Sequence, residues 1–465
     1  MSDLDAVLAR VDADLDASLE RLFALLRIPS VSTDPAFADQ CVDCADHLAA
    51  DLKSIGFDAA RRDTIGHPMV VAHGGPKPGS GAGPHVLFYG HYDVQPPDPL
   101  EKWESGPFEP RIVETPAGKR IVARGSSDDK GQLMTFIEAA RAYMAVNGEL
   151  PLPVTILLEG EEESGSKSIA PFFAANQAEL TADVALVCDT GMWDADTPAI
   201  TTRLRGVVHD EMFVTCPSRD LHSGMYGGAA MNPIRLLARI IASLHDDTGR
   251  VRIPGFYDGV SDLDAEIKAQ WDGLDFDESE FLGDVGLSIP AGEKGRSVLE
   301  LIWARPTAEI NGIIGGYTGV GSKTVIPSMA SAKVTFRLVG DQDPAKIVDN
   351  FRAYVRAQMP ADCKVEFSPD GGGNAALQVA LDSPHLAAAR RALADEWKRE
   401  AVLTGSGGSI PIVGDFKAKL GMDTLLIGFA LDDDRIHSPN EKYNLKSFHR
   451  GIRSWVRIMD ELAKG

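Results

Sequence analysis

Three carboxylates in a row end the apolar stretch of the sequence LLEGEEESGS at residues 157–166. Glu161, Glu162 and Glu163 follow residues 154–158, which have the composition of a buried strand. Carboxylates packed together raise each other's pKa, and bound cations remove that repulsion. An acidic run is also typical of a solvated surface, so this stretch alone leaves a metal site and a plain surface both open.

Histidines and further carboxylates follow other apolar runs in the same way. His91 and Asp93 come after VLFYG, Asp189 comes after VALVC, and His437 comes a short loop after TLLIGFA. Asp128 stands just before a helical pattern that begins at residue 130. In an open α/β sheet, ligands bind beyond the carboxyl ends of the strands. The residues that can converge there are His91, Asp93, Asp128, Glu162 or Glu163, Asp189 and His437.

Two histidines and several carboxylates form a ligand set for borderline metals such as zinc. The carboxylates exceed the needs of one ion, so two metals bridged by a carboxylate are plausible. Each signal has a simpler interpretation, because acidic residues at a helix start commonly serve as caps. Their joint position after successive strands favours the metal site.

The elements around these residues predict an α/β domain with a mostly parallel sheet flanked by helices. Apolar runs at 86–90, 154–159 and 184–188 alternate with an amphipathic segment at 130–147. The same alternation returns near the end of the sequence, with helical patterns at 385–400 and 448–464 and a predicted strand at 424–430.

The middle of the chain has a different pattern. Residues 207–216 and 330–339 alternate apolar and polar side chains, as half-buried strands do, and a helical pattern spans 232–244. We therefore expect a smaller inserted α+β domain at 205–376, and a discontinuous main domain of residues 1–204 and 377–465.

Composition excludes several classes of protein. The chain has 465 residues and a net charge of −22, which argues against binding to nucleic acid or to anionic membranes. No apolar run approaches the length of a membrane span. Five cysteines make no disulfide framework, and the acidic start lacks the features of a secretory signal, so we expect a cytoplasmic protein. Cys41 and Cys44 form a CxxC within a helical pattern and are interpreted as packing residues.

Seven ordered motifs resemble one family. They are GHYDVQP (90–96), RGSSDDKG (124–131), EEESGS (161–166), DLHSGMYGG (220–228), KTVIP (323–327), GGSIP (407–411) and HSPNEK (437–442). Together they resemble the di-metal metallopeptidases that include aminoacylase, succinyl-diaminopimelate desuccinylase and glutamate carboxypeptidase. Within that family the motifs are most similar to the carnosinase-like branch of cytosolic nonspecific dipeptidases.

The resemblance implies a role for each motif residue in the main domain. His91 and Asp189 would bind one metal, Glu163 and His437 the other, and Asp128 would bridge the two. Glu162 would be the general base and Asp93 the second catalytic residue. Asp129 and Glu161 match no ligand of the family.

The resemblance also implies substrate contacts. His222 and Thr324 would reach the active site of a partner subunit in a homodimer. Arg337 would bind the terminal carboxylate of the substrate, and Ser409 would contact the same region. Without the resemblance, Arg337 reads as an ordinary residue on a strand face.

The implied function is hydrolysis of dipeptides by a water held between two divalent metal ions, with Zn²⁺ favoured and Mn²⁺ or Co²⁺ as alternatives. An N-acyl amino acid deacylase or a carboxypeptidase of the same family would share the metal core. An inactive relative that serves as a binding protein would have lost a ligand or the base, whereas all these positions are intact. Residues 251–300 match no motif and could shape specificity.

Overall fold

The computed structural model describes residues 3–408 and 411–465. Its strands, in chain order, are β1 (Asp58–Arg62), β2 (Met69–Gly74), β3 (Val86–His91), β4 (Arg111–Thr115), β5 (Gly118–Val122), β6 (Val154–Glu159), β7 (Val184–Val187), β8 (Ala199–Leu204), β9 (Gly206–Thr215), β10 (Leu221–His222), β11 (Thr307–Gly315), β12 (Val325–Ile326), β13 (Met329–Leu338), β14 (Lys364–Phe367), β15 (Gly372–Asn374), β16 (Leu377–Gln378), β17 (Val402–Ser406), β18 (Asp423–Leu426) and β19 (Lys442–Asn444).

The α-helices, in chain order, are α1 (Asp3–Ala13), α2 (Leu15–Leu26), α3 (Ala38–Ser54), α4 (Lys130–Asn147), α5 (Ile169–Leu180), α6 (Ser223–Tyr226), α7 (Pro233–Ala242), α8 (Ala265–Asp272), α9 (Glu278–Gly283), α10 (Val298–Trp303), α11 (Pro344–Arg356), α12 (Pro384–Trp397), α13 (Pro411–Leu420) and α14 (Leu445–Ala463). A short 3₁₀ turn, Glu162–Ser164, follows β6.

The chain divides into two compact units. The outer unit comprises Met1–Thr202, Val379–Thr404 and Asp415–Gly465. The inserted unit comprises Arg203–Gln378 and Gly405–Gly414.

The main sheet of the outer unit is mixed, and its centre is parallel. Its strand order is β1-β2-β6-β3-β7-β18-β8, and β17 also pairs with β8. The four central strands β6, β3, β7 and β18 run parallel, while β1, β2 and β8 are antiparallel to their neighbours. The expected α/β class with a mostly parallel sheet and flanking helices is therefore confirmed. Because parallel strands end at one edge of a sheet, the residues after β3, β6 and β7 are brought together.

Buried helices cover this sheet. Phe136 of α4 stacks on Phe88 of β3 with ring centroids 3.9 Å apart, and the ring of Trp455 from α14 meets both edge-on. Every residue of α4 from Lys130 to Ala140 is buried, so Asp128 and Asp129 directly precede a helix that is fixed in the core.

The larger sheet of the inserted unit is antiparallel, with α7 and α11 on one of its faces. The strand order is β11-β13-β9-β14, with β15 also pairing with β9. Along β9, alternate residues such as Val208, Met212 and Val214 are buried, as the period of two requires. They pack with apolar residues of α7 and α11 in one core.

Candidate active site

His91 stands at the end of β3, beside the end of β6. The two strands run parallel, and His91 pairs in register with Glu159. The 3₁₀ turn that begins at Glu162 follows within three residues, so the acidic run reaches the same edge of the sheet. Asp189 reaches it from the end of β7, the other parallel neighbour of β3.

Asp128 is the centre of the cluster. One of its carboxylate oxygens lies 3.1 Å from Nε2 of His91, and the other lies 2.9 Å from Nε2 of His437. Nε2 of His437 is 3.3 Å from Oε2 of Glu163, and Nε2 of His91 is 4.0 Å from Oδ2 of Asp189. The structure thus brings together the five residues that the sequence proposed as metal ligands.

These residues form two groups that share Asp128. One group is His91, Asp128 and Asp189, the other is Asp128, Glu163 and His437, and within each the ligand atoms lie within 4.8 Å of one another. Imidazole and carboxylate donors suit zinc and related divalent ions. The Glu163 side chain is only 4% exposed, yet its Oε1 has no hydrogen-bond partner among the described residues. A buried acceptor of this kind fits a cation.

The electrostatics of the cluster agree with that fit. Burial and the charge of Asp128 raise the pKa of Asp189 well above its ordinary value. Hydrogen bonds to Asp128 and Glu163 raise the pKa of His437 to about 10, against the opposite effect of burial. Burial lowers the pKa of His91, but its hydrogen bonds to Asp128 and Asp93 outweigh it and leave this pKa well above 6.5. The cluster holds more carboxylates than its own cations balance, and divalent ions would supply the missing positive charge.

Asp93 holds the acidic turn as well as the histidine. Its carboxylate accepts hydrogen bonds from the backbone N–H of Glu162 at 3.2 Å and of Glu163 at 3.0 Å. Nδ1 of His91 lies 3.1 Å from the backbone oxygen of Asp93 and 3.3 Å from its Oδ1. One buried carboxylate therefore sets the positions of a candidate ligand and of the candidate base.

The three carboxylates of the acidic run have separate surroundings. Glu161 is buried and its Oε2 accepts a hydrogen bond from the backbone N–H of Ser168 at 3.0 Å, outside both ligand groups. Glu163 belongs to a ligand group, and Gln95 also donates to its Oε2 at 2.7 Å. Glu162 lies between them, and burial raises the pKa of its carboxyl group above 4.5.

Glu441 fixes the loop that carries Asp128, and sequence reasoning missed it. Its two buried oxygens accept hydrogen bonds from Arg124 at 2.7 Å and from the backbone N–H groups of Gly125, Ser127 and Asp128 at 2.9–3.0 Å. The signal available was its position in the HSPNEK motif, four residues after His437.

Asp434 also connects the segment before Asp128 with the segment around His437. Ser127 donates its hydroxyl to Asp434 at 2.7 Å, and Lys442 forms an ion pair with the same carboxylate at 2.5 Å. The segment around His437 is thereby held against the segment before Asp128.

A second missed contact supports Asp93. The hydroxyl of Ser32 donates to Oδ2 of Asp93 at 2.6 Å, and both groups are buried. Ser30 donates to the backbone oxygen of Tyr92 at 2.6 Å. The buried ammonium of Lys130 donates to the backbone oxygens at residues 25 and 28, so the start of α4 fixes the segment that carries these serines.

Asp129, which matches no ligand of the family, is buried and has a positioning contact. Its Oδ2 accepts a hydrogen bond from the backbone N–H of His91 at 3.1 Å, and the thiol of Cys188 lies 3.2 Å from the same oxygen. It belongs to neither ligand group.

The remaining candidates lie in the inserted unit. His222 of β10 pairs with Val325 of β12, and the backbone N–H of Ser223 donates to the oxygen of Thr324 at 3.0 Å, so His222 and Thr324 are neighbours. Both are exposed. Arg337 lies half-buried on β13. Ser409 falls outside the described residues.

The comparison with protein families decides the family. A model described as peptidase family M20/M25/M40 matches residues 87–461. The chain belongs to this family. The match contains all seven motifs, from GHYDVQP (90–96) to HSPNEK (437–442), and the resemblance inferred from those motifs is confirmed.

Individual M20 relatives extend over nearly the whole chain. The Cys-Gly metallodipeptidase DUG1 of Candida albicans is 31% identical and covers 94% of this chain and 92% of its own. Human carnosine dipeptidase 1 is 26% identical, covers 100% of both chains and superposes with a TM-score of 0.75. The M20 family metallo-carboxypeptidase Sso-CP2 of Sulfolobus solfataricus is 29% identical, covers 96% and 99% of the two chains and has a TM-score of 0.79.

Among the described residues, no helix has both the length and the apolar character needed to cross a membrane.

Proposed function

We propose that the protein is a metallo-dipeptidase that hydrolyses the peptide bond of dipeptides. The observation that carries this proposal is the pair of ligand groups that share Asp128, with Glu162 directly before Glu163 in the chain. Relatives named as Cys-Gly metallodipeptidase and as carnosine dipeptidase, alike over nearly the full length of the chain, support it.

The proposed ligands are His91 and Asp189 for one ion, Glu163 and His437 for the other, and Asp128 for both. Two divalent cations held there would supply Lewis acidity toward the scissile carbonyl and the attacking water. We propose Zn²⁺, because histidine and carboxylate ligands suit it, with Mn²⁺ or Co²⁺ as alternatives.

Glu162 is the proposed general base. It takes a proton from the attacking water and returns it to the amine that leaves, which is the usual work of a carboxylate next to the scissile bond. Asp93 supports the same step by positioning, because its carboxylate fixes the backbone of Glu162 and the ring of His91.

The proposed substrate contacts come from the inserted unit. His222 would donate a hydrogen bond to the carbonyl oxygen as negative charge develops there, where a donor contributes most. Arg337 would bind the terminal carboxylate through two parallel hydrogen bonds, and Ser409 would contact the same group.

We further propose that His222 and Thr324 act in the partner subunit of a homodimer. Strand β11 lies at the end of its sheet order, and it carries Ile313 and Ile314 with 60% and 64% of their surface exposed. Nearby segments of the same unit expose Met225 at 77% and Val320 at 102%. Exposed apolar side chains along an edge strand favour association with another chain.

A cytoplasmic location is proposed as well. All five cysteines are free, as a reducing compartment would keep them.

Substitution of the two neighbouring glutamates tests the proposed activity. Glu162→Gln should lower kcat for a dipeptide such as Ala-Leu by about 10²–10⁴-fold and leave two bound metals per subunit, because the base is removed and the ligands are not. Glu161→Gln is the matched control and should retain activity, since its carboxylate lies outside both ligand groups. Metal content by plasma mass spectrometry and dipeptide hydrolysis measure both. Substantial activity in Glu162→Gln would contradict the assignment of the base.

A carboxypeptidase is the alternative that a specific relative favours, because Sso-CP2 is a metallo-carboxypeptidase of comparable similarity. N-acyl amino acid deacylase activity is the other alternative within the family. A panel of dipeptides, longer peptides and N-acetyl amino acids separates the three. A purified protein that binds no metal would instead favour a binding protein without activity.

A further inference from the structure

Two cysteines of the inserted unit lie opposite each other at the ends of neighbouring strands. Strands β9 and β14 are antiparallel, and Thr215 pairs with Lys364. The next position along the two strands brings Cys216 opposite Cys363. Their side chains are hydrogen-bonded to each other, and both thiols are free. The fold of this unit therefore places two reduced thiols in contact, although they lie far apart in the sequence.

The backbone at Cys216 gives this pair the closer of the two antiparallel spacings. Its N–H donates at 3.1 Å to the oxygen of Ser328, which directly precedes β13, the neighbour of β9 on the side away from β14. The N–H of Cys363 donates within its own turn, to the oxygen of Pro360 at 3.1 Å. Cys216 and Cys363 are thus a non-hydrogen-bonded pair, in which the Cα atoms lie about 4.5 Å apart. A disulfide spans Cα distances of about 4.4–6.8 Å, so the bond can form without movement of the strands.

The two thiols differ in their exposure to solvent. Of the five cysteines, all within the described residues, four are buried and Cys216 is partly exposed. Cys363 is 9% exposed and belongs to the apolar core of the unit, and Cys216 packs against the same core. Cys41 and Cys44, in contrast, are both 0% exposed on α3. A dissolved oxidant can therefore reach Cys216, and Cys363 lies next to it to complete an exchange.

A bond between these cysteines would cross-link the edge of the sheet. Strand β14 has only 4 residues and lies at the end of the strand order. The chain from Cys216 to Cys363 contains most of the inserted unit, including β13, α7 and α11. Closing so long a loop lowers the conformational entropy of the unfolded chain, so the bond stabilises the folded unit.

We propose that Cys216 and Cys363 are a modification site, at which a small-molecule disulfide such as oxidised glutathione converts the two thiols into a reversible disulfide that stabilises the inserted unit. Disulfides of cytosolic proteins are usually transient bonds of this redox-sensing kind. The inference goes beyond the proposed dipeptidase function and does not depend on it.

The exchange has two steps, each an attack of a thiolate on a disulfide. The Cys216 thiolate attacks oxidised glutathione, whose S–S bond breaks, and a mixed disulfide forms on Cys216 while one glutathione leaves and takes up a proton. The Cys363 thiolate then attacks the sulfur of Cys216 and releases the second glutathione. The protein loses two electrons and two protons, and one glutathione disulfide becomes two thiols. An excess of reduced glutathione reverses both steps.

A count of free thiols after oxidation tests the pairing. The metal-loaded protein is incubated with oxidised glutathione at pH 8.5, because the thiolate is the attacking species and burial, with the neighbouring Cys363, raises the pKa of Cys216 to about 12. Free thiols are then alkylated in denaturant, and a digest made without reductant is analysed by mass spectrometry. The five free thiols should fall to three, with one pair of peptides joined through Cys216 and Cys363. Cys41, Cys44 and Cys188 should stay free and are internal controls.

Three results of this experiment would overturn the pairing. They are five free thiols after prolonged incubation, glutathione bound to the protein without an internal bond, and a disulfide that joins two molecules. The serine variants test the order of the steps. Cys363→Ser should keep one glutathione on Cys216, whereas Cys216→Ser should take up none; glutathione on Cys363 in Cys216→Ser would contradict the order. The wild-type result decides the pairing even if a variant does not fold.

Thermal unfolding tests the effect on stability. The oxidised wild type should melt about 4–16 °C above the reduced protein and return to the lower temperature after treatment with reduced glutathione. Cys216→Ser should melt at the same temperature with and without oxidised glutathione. An unchanged melting temperature in wild-type protein whose cross-link has been verified would refute the stabilising role. None of these measurements uses peptide hydrolysis, so a failure of the proposed function and a failure of this inference are distinguishable.

Discussion

Replacing Glu441 with glutamine changes a single atom type at the point where four hydrogen bonds converge on the loop before Asp128. In the wild type, Oε2 accepts from Arg124 and from the backbone of Gly125, while Oε1 accepts from the backbone of Ser127 and Asp128. Glutamine has one acceptor oxygen and one NH₂ group. In either orientation, two donors lose their acceptor and face another donor.

The size of the effect follows from burial. Glu441 is 0% exposed and the Arg124 side chain is 1% exposed, so water cannot replace the lost acceptor. Each unsatisfied buried donor costs about 1–3 kcal/mol, and a buried charge without its partner costs about 3–5 kcal/mol. These terms overlap, so we expect Glu441→Gln to lower the free energy of unfolding by about 3–5 kcal/mol.

The effect should also reach the metals. The backbone of Asp128 is one of the groups that Glu441 fixes, and Asp128 belongs to both ligand groups. Loss of a partner that orients a ligand weakens metal binding by about 10–100-fold. Competition with a chromogenic chelator measures the affinity for Zn²⁺, and urea unfolding measures the stability.

Glu138→Gln separates metal binding from general destabilisation. Glu138 is also a buried glutamate, and it lies on α4, where it accepts hydrogen bonds from Ser18 and Arg21 of α2 and from Arg141 of α4. This variant should lose stability to a similar degree and keep the metal affinity of the wild type. If both variants lose metal affinity equally, or if Glu441→Gln keeps it, the reasoning about Glu441 is refuted.

Three further predictions concern the same unit. Ser32→Ala should lower kcat by about tenfold or more with little change in KM, because Asp93 loses a hydroxyl donor. Ser32→Thr, which keeps a hydroxyl, should retain the rate, and Ser30→Ala should lower it less. Equal losses in the two alanine variants would contradict a specific role of Ser32. Asp189→Asn should lower the bound metal from two ions per subunit to one, whereas Asp128→Asn should weaken the binding of both ions. Metal analysis after dialysis measures this. Loss of a single ion in both variants would contradict a shared Asp128. Burial raises the pKa of Glu138 but its arginine and serine contacts lower it more, so its contribution to stability is complete above pH 4.5 and disappears as the pH falls through the folded-state pKa. In urea unfolding between pH 3 and 7, the difference in unfolding free energy between the wild type and Glu138→Gln should therefore shrink in acid. A difference that stays constant with pH would contradict the depressed pKa.

The strands that form the site were predictable because their side chains are buried on both faces. Residues 154–159 were predicted as a strand with the bounds that β6 has. The run at 424–430 was predicted too long, since β18 ends at Leu426. Residues 427–430 remain buried outside the strand, and apolar composition does not distinguish a buried loop from a strand. A side chain on Gly428 would meet the backbone oxygens of Cys188 and Thr190, so the chain passes too close to its neighbour there for an ordinary strand residue.

The ligands were predictable for a related reason. Histidine and carboxylates placed directly after parallel strands must share one edge of the sheet, and the topology carries them together. The contacts of Ser32 with Asp93 and of Glu441 with Asp128 were not predictable, because the partners lie 61 and 313 positions apart and a serine or a glutamate has many possible uses. No periodicity records such contacts, and only the folded chain brings them together.

The outer unit is built from pieces that lie on both sides of the inserted unit along the chain. During synthesis, Asp128 therefore leaves the ribosome long before the segment that holds Glu441 and His437. The hydrogen bond between Asp128 and Glu441 spans 313 positions of the chain. Residues 203–378, in contrast, form most of a compact unit without interruption, and compact units generally fold as wholes during synthesis. The acidic residues Asp128, Glu163 and Asp189 are therefore synthesised well before His437, the histidine that pairs with two of them. Long-range closure of this kind is slow, so a chain released before His437 would hold an unfinished site exposed to aggregation and proteolysis.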